Sequence, residues 1–195
     1  MARVSREKTG RNRIAIEAAS SRLFREQGIN GVSVSDLMAA AGLTHGGFYG
    51  HFASKDALVA IACARAFESS AAAWKKRSRK NPDRDAAWAD IVVGYLSARS
   101  RNASGAGCPL AALAVDVARE PADKPVRQAY LAGLNDLLEI SVGLQRSGDA
   151  QQDRGHALAQ LSTMVGALVL ARATQGDPVS DEFLVAARQQ LISSS

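Results

Sequence analysis

Apolar residues return every three or four positions along most of this chain, and that spacing predicts helices rather than strands. Ile16, Ala19, Leu23 and Phe24 form one stripe, on a helix expected from near Arg11 to Gly28. Val34, Leu37, Met38 and Ala41 form a second, on a short helix. Leu58, Ile61, Ala62 and Phe67 mark the inner face of a long helix from Ser54 toward Lys80. Further helices are predicted over 85–101, 109–119, 123–146, 151–175 and 180–192, separated by the turn clusters NPDRD, RNASGAGCP, REPADKP, RSGDAQQD and QGDPVSD. Pro109 and Pro125 suit first helical turns, and Ser180 is expected to cap the last helix ahead of Asp181 and Glu182. No segment alternates as a half-buried strand does, so the fold class is all-α, with about nine helices.

One stretch is apolar nearly all round. In 156–173, Leu158, Leu161, Val165 and Leu168 make one stripe, and Ala157, Met164, Ala167 and Ala171 another. Such a helix must be covered on several sides. Burial within one chain or a two-fold four-helix bundle, completed by Phe183, Leu184, Ala187 and Leu191, would each cover it.

The densest local signals lie between Ser33 and Leu58. Ser33 and Asp36 have the spacing of a capping box, and Gly42 ends the helix they start. Thr44 and Ser54 are hydroxyl caps for the next two helices. A short helix, a glycine turn and a second short helix containing Phe48, Tyr49 and Phe52 make a helix-turn-helix, whose second helix suits a DNA major groove. His45, Gly46 and Gly47 occupy its first turn, where base edges are read, although two glycines supply no side-chain code. Gly50 is a third glycine, costing about 1 kcal/mol of helix propensity relative to alanine, so this recognition helix is expected to be marginal alone. Phe48 and Phe52 are expected in the core.

The run AAAGLTHGGFYGHFASKDAL, within a stretch from about Ile16 to Leu58, resembles the DNA-binding domain of the TetR family of transcriptional repressors. The small residues before Gly42, Thr44, the pair Phe48 and Tyr49, and then His51, Phe52, Lys55 and Leu58 carry the resemblance. It implies a three-helix DNA-binding domain over 1–56, its first twelve residues a basic flexible arm, and a helical effector-binding and dimerisation domain over 57–195. It further implies a homodimer that binds a palindromic operator in double-stranded DNA and is released by a small-molecule effector, apolar or electrophilic. The residues expected at DNA are Ser33, Thr44, His45, Gly46, Gly47, Tyr49, His51 and Lys55, with Tyr49, His51 and Lys55 at phosphate-contacting positions of the family. The dimer interface is expected at Leu158, Leu161, Val165, Leu168, Leu184, Ala187 and Leu191.

Charge fits this division. The chain carries a net +5, and up to Lys55 eight basic residues face four acidic ones while the remainder is nearly balanced. A basic excess beside a helix-turn-helix suits phosphate neutralisation. The run from Lys75 to Lys80 reads instead as a solvated helix end whose cations match its dipole. The basic N-terminus is not followed by an apolar segment of secretory type and no apolar run approaches a membrane span, so a cytoplasmic location without membrane contact is expected.

Candidate effector contacts are Trp88, Tyr95, Leu113, Val117, Met164 and Leu168, with Leu96, Tyr130 and Leu134 as further linings; ordinary core is their alternative reading. Cys108 precedes Pro109 at a helix start, where the helix N-terminus is expected to lower its thiol pKa. It resembles the cysteine of a TetR branch in which some members respond to electrophiles or oxidants. A redox- or electrophile-sensing repressor is therefore the alternative function, and a small buried hydrophobe the alternative role for Cys108. Cys63 reads as core, and the two cysteines have no metal-ligand or disulfide spacing. No metal or cofactor motif and no nucleophile elbow is present, so catalysis would need Cys108 and His156 to meet in space. A small-molecule-binding or thiol-reactive protein without DNA binding is the reading outside the regulator class.

Overall fold

The structure, a computed structural model, describes residues 2–193. Among them are nine α-helices and two 3₁₀ segments, and no strand. Helix α1 (Ala2–Gln27) precedes α2 (Val34–Ala40) and the 3₁₀ recognition helix (His45–Gly50). Then come α3 (Lys55–Lys80), α4 (Arg84–Tyr95), α5 (Ala98–Asn102), a 3₁₀ turn (Ser104–Ala106), α6 (Pro109–Arg119), α7 (Pro125–Val142), α8 (Ala150–Ala173) and α9 (Val179–Ser193). Helix α1 starts at Ala2 rather than near Arg11, so residues 2–12 of the expected arm are helical. Between Arg3 and Arg11 only Gly10 disfavours a helix, and glycine lowers propensity without removing a hydrogen bond.

The head forms around one aromatic centre. Ile16, Leu23 and Phe24 of α1, Leu37 and Met38 of α2, Phe48, Phe52 and Leu58 are all buried. The Ser33 hydroxyl accepts from the Asp36 N–H while the Asp36 carboxylate accepts from the Ser33 N–H, the expected capping box. At the other end of α2, Gly42 adopts φ +72°. Gly42 N–H donates to Ala39 O and Leu43 N–H to Met38 O, two bonds that satisfy the last carbonyls and bring Leu43 back onto the core. Only a residue without Cβ reaches that φ cheaply.

Helix α3 is the axis of the molecule. Its first half packs on α1, its length on α7, and its second half on α4. It has the length and apolar composition of a membrane span, yet Leu58, Val59, Ala62, Cys63, Ala66 and Phe67 are buried inside the fold. Ser54 caps it by accepting from Ala57 N–H. Gly133 of α7 lets that helix lie directly on Phe67, for a Cβ there would stand 2.1 Å from Phe67 Cγ.

Two helix boundaries differ from the sequence pattern. The helix expected over 85–101 breaks after Tyr95, because the Ser97 and Ser100 hydroxyls both donate to the Gly94 carbonyl and Ser97 caps a new turn. These side chains compete with the helical backbone for the same acceptor. Ser180 does not cap α9. Its hydroxyl is buried and donates to Ala171 O, and Asp177 accepts from the Val179 N–H instead.

Candidate functional site

The recognition helix projects from the head with Thr44, His45, Gly46, Gly47 and Tyr49 all exposed, Tyr49 at 73%. Its backbone bonds are short-range, Gly47 N–H to Thr44 O and His51 N–H to Phe48 O, which is the tight winding expected where three glycines deny the backbone α-helical propensity. Phe48, fully buried, anchors it, with Tyr49 edge-on at 5.2 Å and Phe52 at 5.8 Å. Thr44 sits at the N-cap, but its hydroxyl makes no capping bond, contrary to its expected double role. The first N–H groups of the helix thus lack that side-chain partner, and the hydroxyl projects with them.

The other candidate contacts are partly committed within the chain. Ser33 is exposed and tied into its capping box. Lys55 Nζ donates to Ile29 O at 2.8 Å, using one of its three protons to brace the α1–α2 turn. The carbonyl of His51 accepts from Arg13, whose guanidinium also lies over the Phe52 ring, while His51 Nδ1 is buried without a partner. Sequence does not single out Arg13. Its role depends on a neighbour 38 positions away, beyond the reach of helical periodicity.

Besides the Arg65–Glu17 pair between α3 and α1, four contacts among the described residues join this head to the body. Asp116 of α6 accepts from Ile29 N–H at 2.8 Å, reaching under Gly28, which has φ +79° and no Cβ to obstruct it. Arg25 of α1 donates to the Gly107 carbonyl at 2.6 Å. Glu26 packs on Gly105, and Lys124 pairs with Asp56 at the start of α3. Three of these contacts fall on 105–116, the segment that carries Cys108.

Cys108 lines a cavity of ≈ 210 Å³ with Arg25, Ser70, Trp74, Arg77, Tyr95 and Ser100 among its walls. It is the N-cap residue of α6, and the Leu110 N–H does favour its thiolate. Burial dominates, however, and pushes the thiol from the ordinary 9.0 up to about 11, the reverse of the expected lowering. Cys63 is likewise buried and pushed up to about 12. Of the other expected effector contacts, Tyr95 lines the same cavity. Trp88 borders a separate cleft with Arg146 and Gln160 and donates to Leu191 O, and Val117 borders a groove with Tyr130 and Leu131. Leu113, Met164 and Leu168 are fully buried core, as are Leu96 and most of their neighbours.

The expected dimer stripe is largely internal. Leu161, Leu168, Leu184, Ala187 and Leu191 are buried in the chain, where α8 packs on α9 and α9 on α4. Leu158 is exposed and Val165 half-buried, and the further outward apolar residues of these helices are Val169, Leu170, Val185 and Ile192. The sequence pattern does not separate the inward from the outward side of these helices, because both are apolar.

Among the described residues no group of three His, Cys, Asp or Glu is placed to hold a metal ion. Cys108 and His156 do not meet. Arg172 is a close electrostatic neighbour of Cys108, whereas His156 lies sixteen positions earlier on the same helix, about 24 Å away at the usual helical rise.

A three-helix head with an exposed, glycine-rich recognition helix, braced against a helical body that contains a cavity, defines a helix-turn-helix architecture. Residues 16–61 match the sequence model of the bacterial regulatory proteins, tetR family. That match spans the head, and solved structures share the fold of the whole chain. Over 95% of this chain and 98% of the other, it superposes on a TetR family transcriptional regulator from Agrobacterium tumefaciens with TM-score 0.80 at 20% identity. A TetR regulator from Chloroflexus aurantiacus J-10-FL matches over 96% and 95% of the two chains, with TM-score 0.80 at 24% identity. The reduced form of NemR from E. coli matches over 92% and 94%, with TM-score 0.78 at 18% identity. No curated protein sequence matches the chain.

Proposed function

We propose that this protein is a homodimeric, ligand-responsive transcriptional repressor that binds a palindromic operator and works in the cytoplasm. The observation that carries the proposal is the recognition helix: Thr44, His45, Gly46, Gly47 and Tyr49 are exposed together on a helix whose other face is anchored by a fully buried Phe48. Residues with no packing duty are thereby held rigidly at the surface. Tyr49 and the first-turn N–H groups reach phosphate, His45 reaches base edges, and the exposed Lys8 and Arg11 of α1 add positive charge on the same domain. His51 and Lys55 contribute through the protons and ring positions their internal contacts leave free.

In this reading the domain boundary lies near residue 56, with α3 running from the head into the body. Two copies pair through the outward apolar residues of α8 and α9, and the dimer presents its two recognition helices about 34 Å apart, one turn of DNA. Ligand in the Cys108 cavity bears on the segment 105–116, which holds Arg25, Glu26 and Ile29 of the head. Displacing that segment shifts the dimer toward a head spacing that no longer fits the operator. A switch by covalent modification of Cys108 is the second reading, favoured by its place in the cavity wall and opposed by its protonated, buried thiol.

The test is selection of bound sequences from random duplex DNA. Enrichment of an inverted repeat with half-sites about one helical turn apart is expected. Enrichment of single, unpaired sites would refute the dimeric reading, and no enrichment at all would refute DNA recognition.

A further inference from the structure

We propose that the cavity beside Cys108 is built for a small, partly apolar carboxylate, whose anionic end is received by Arg25, Arg172 and the Tyr95 hydroxyl. The inference deepens the ligand-responsive reading and rests on it.

Positive charge gathers at and behind the cavity wall. Arg25 and Arg77 form part of its wall, and Arg172 lies directly behind, donating to the Ser100 carbonyl at 2.9 Å. Gly107 makes room for it, since a Cβ there would stand 2.7 Å from Arg172 Nη2. Arg77 is paired with Asp90 at 2.9 Å. Among the described residues, Arg25 and Arg172 have no carboxylate in salt-bridge reach; they bond to the carbonyls and hydroxyl of Ser21, Gly107 and Ser100. Glu26, adjacent to Arg25 in sequence, is taken by Arg22. Burial lowers the pKa of both guanidiniums, a sign of the cost of holding them here, although Glu26 offsets part of it for Arg25.

Two donors at the site lack an oxygen or nitrogen acceptor. Tyr95 is 6% exposed and lines the cavity, and its hydroxyl has only the Cys108 thiol, a weak partner, beside it. Arg172 Nε is buried and unpartnered. Buried polar groups are nearly always satisfied in folded proteins, so one donor without a partner and one with only a thiol, beside one cavity, point to a stronger acceptor that arrives from outside. A carboxylate supplies two acceptor oxygens and the missing charge together.

The remaining wall sets the rest of the ligand. Trp74, Ala73 and Ile91 line it, with Trp74 edge-on to Tyr95 at 6.1 Å. The volume, ≈ 210 Å³, is below the roughly 300–1,000 Å³ of drug-sized sites, which limits the ligand to a short chain or a single ring. Arg25 makes the site a switch as well as a receptacle. Its bond to Gly107 O is one of the braces between head and body, and an incoming carboxylate competes for that guanidinium.

The experiment measures binding of benzoate, its neutral isostere benzamide and inorganic phosphate to the DNA-free dimer, by calorimetry and by the fluorescence of Trp74. Benzoate is expected to bind and the other two to bind at least tenfold more weakly. Arg172→Gln and, separately, Tyr95→Phe are each expected to weaken benzoate at least fivefold, and Tyr95→Phe keeps the test valid if loss of the arginine unfolds the body. Benzamide binding as well as benzoate, phosphate binding better than benzoate, or no binding of benzoate at millimolar concentration would overturn the proposal. Because no DNA is present, these outcomes are independent of operator binding. A parallel operator titration with benzoate shows whether occupancy weakens DNA affinity; benzoate binding without that effect would leave the anion site standing and overturn its role as the switch.

Discussion

Tyr49 and Cys108 illustrate how burial decides what a residue can do. Tyr49 is exposed because its neighbour Phe48 takes the core position, so its ring and hydroxyl are free for another molecule. Cys108 has the local sequence of a reactive thiol and the surroundings of an inert one. Its alkylation by iodoacetamide is expected to be slow at neutral pH and to rise toward pH 11 rather than 9, which a pH–rate profile of the single-cysteine Cys63→Ala protein would show. Fast modification at pH 7 would mean an exposed thiolate and would favour the covalent switch. The same shift carries a stability consequence. The unfolded chain ionises its thiols near the ordinary value of 9.0 while the folded chain holds them protonated to about 11 and 12, so stability is expected to fall as pH rises above 9. Gly133 tests packing at the same scale. Gly133→Ala must displace Phe67 or α7, and a loss of about 1–3 kcal/mol by urea unfolding is expected; an unchanged midpoint would mean that the α3–α7 contact is loose.

Helices are legible in sequence to the extent that their signals are local. Ser33 with Asp36, Gly42, Ser54, Pro109 and Pro125 all act within a few residues of themselves, and each does in the structure what its spacing implies. The break after Tyr95 is hidden because serines at 97 and 100 look like ordinary helix surface until both turn back to Gly94. Arg25, Asp116 and Arg172 escape sequence reading for a different reason. Each acts on a partner more than seventy positions away, and neither periodicity nor capping reports on such pairs. Arg172 does leave one trace, as the lone charge near the end of an otherwise apolar run. The faces of α8 and α9 form the remaining ambiguity at this scale, since an all-apolar helix does not say which side meets its own chain. Replacing Leu158 and Val169 together by Arg alters only the outward side. The variant is expected to fold, to elute as a monomer, and to lose at least a hundredfold in operator affinity; a dimer with normal affinity would place the interface elsewhere.

At the scale of the whole molecule, a helix-turn-helix head and a helical body are joined by α3 and a few polar contacts. The head and body share one continuous core through α1 and α3, and polar contacts between them include Ile29 to Asp116, Arg25 to Gly107, Glu26 against Gly105, Lys124 to Asp56 and Arg65 to Glu17. Their clustering on the segment around Cys108 places the cavity and the hinge side by side. In the proposed mechanism, signal transfer needs no long pathway, only competition for groups that already hold the joint.

The central claim is that the exposed recognition helix binds DNA, and the most direct measurement is the salt dependence of affinity for the selected operator, in wild type and in Tyr49→Ala. Wild type is expected to bind tightly, with log K falling steeply and linearly with log salt, while Tyr49→Ala loses about tenfold or more with its fold and dimer intact. Equal affinities for the two proteins, or wild-type binding insensitive to salt, would contradict the account.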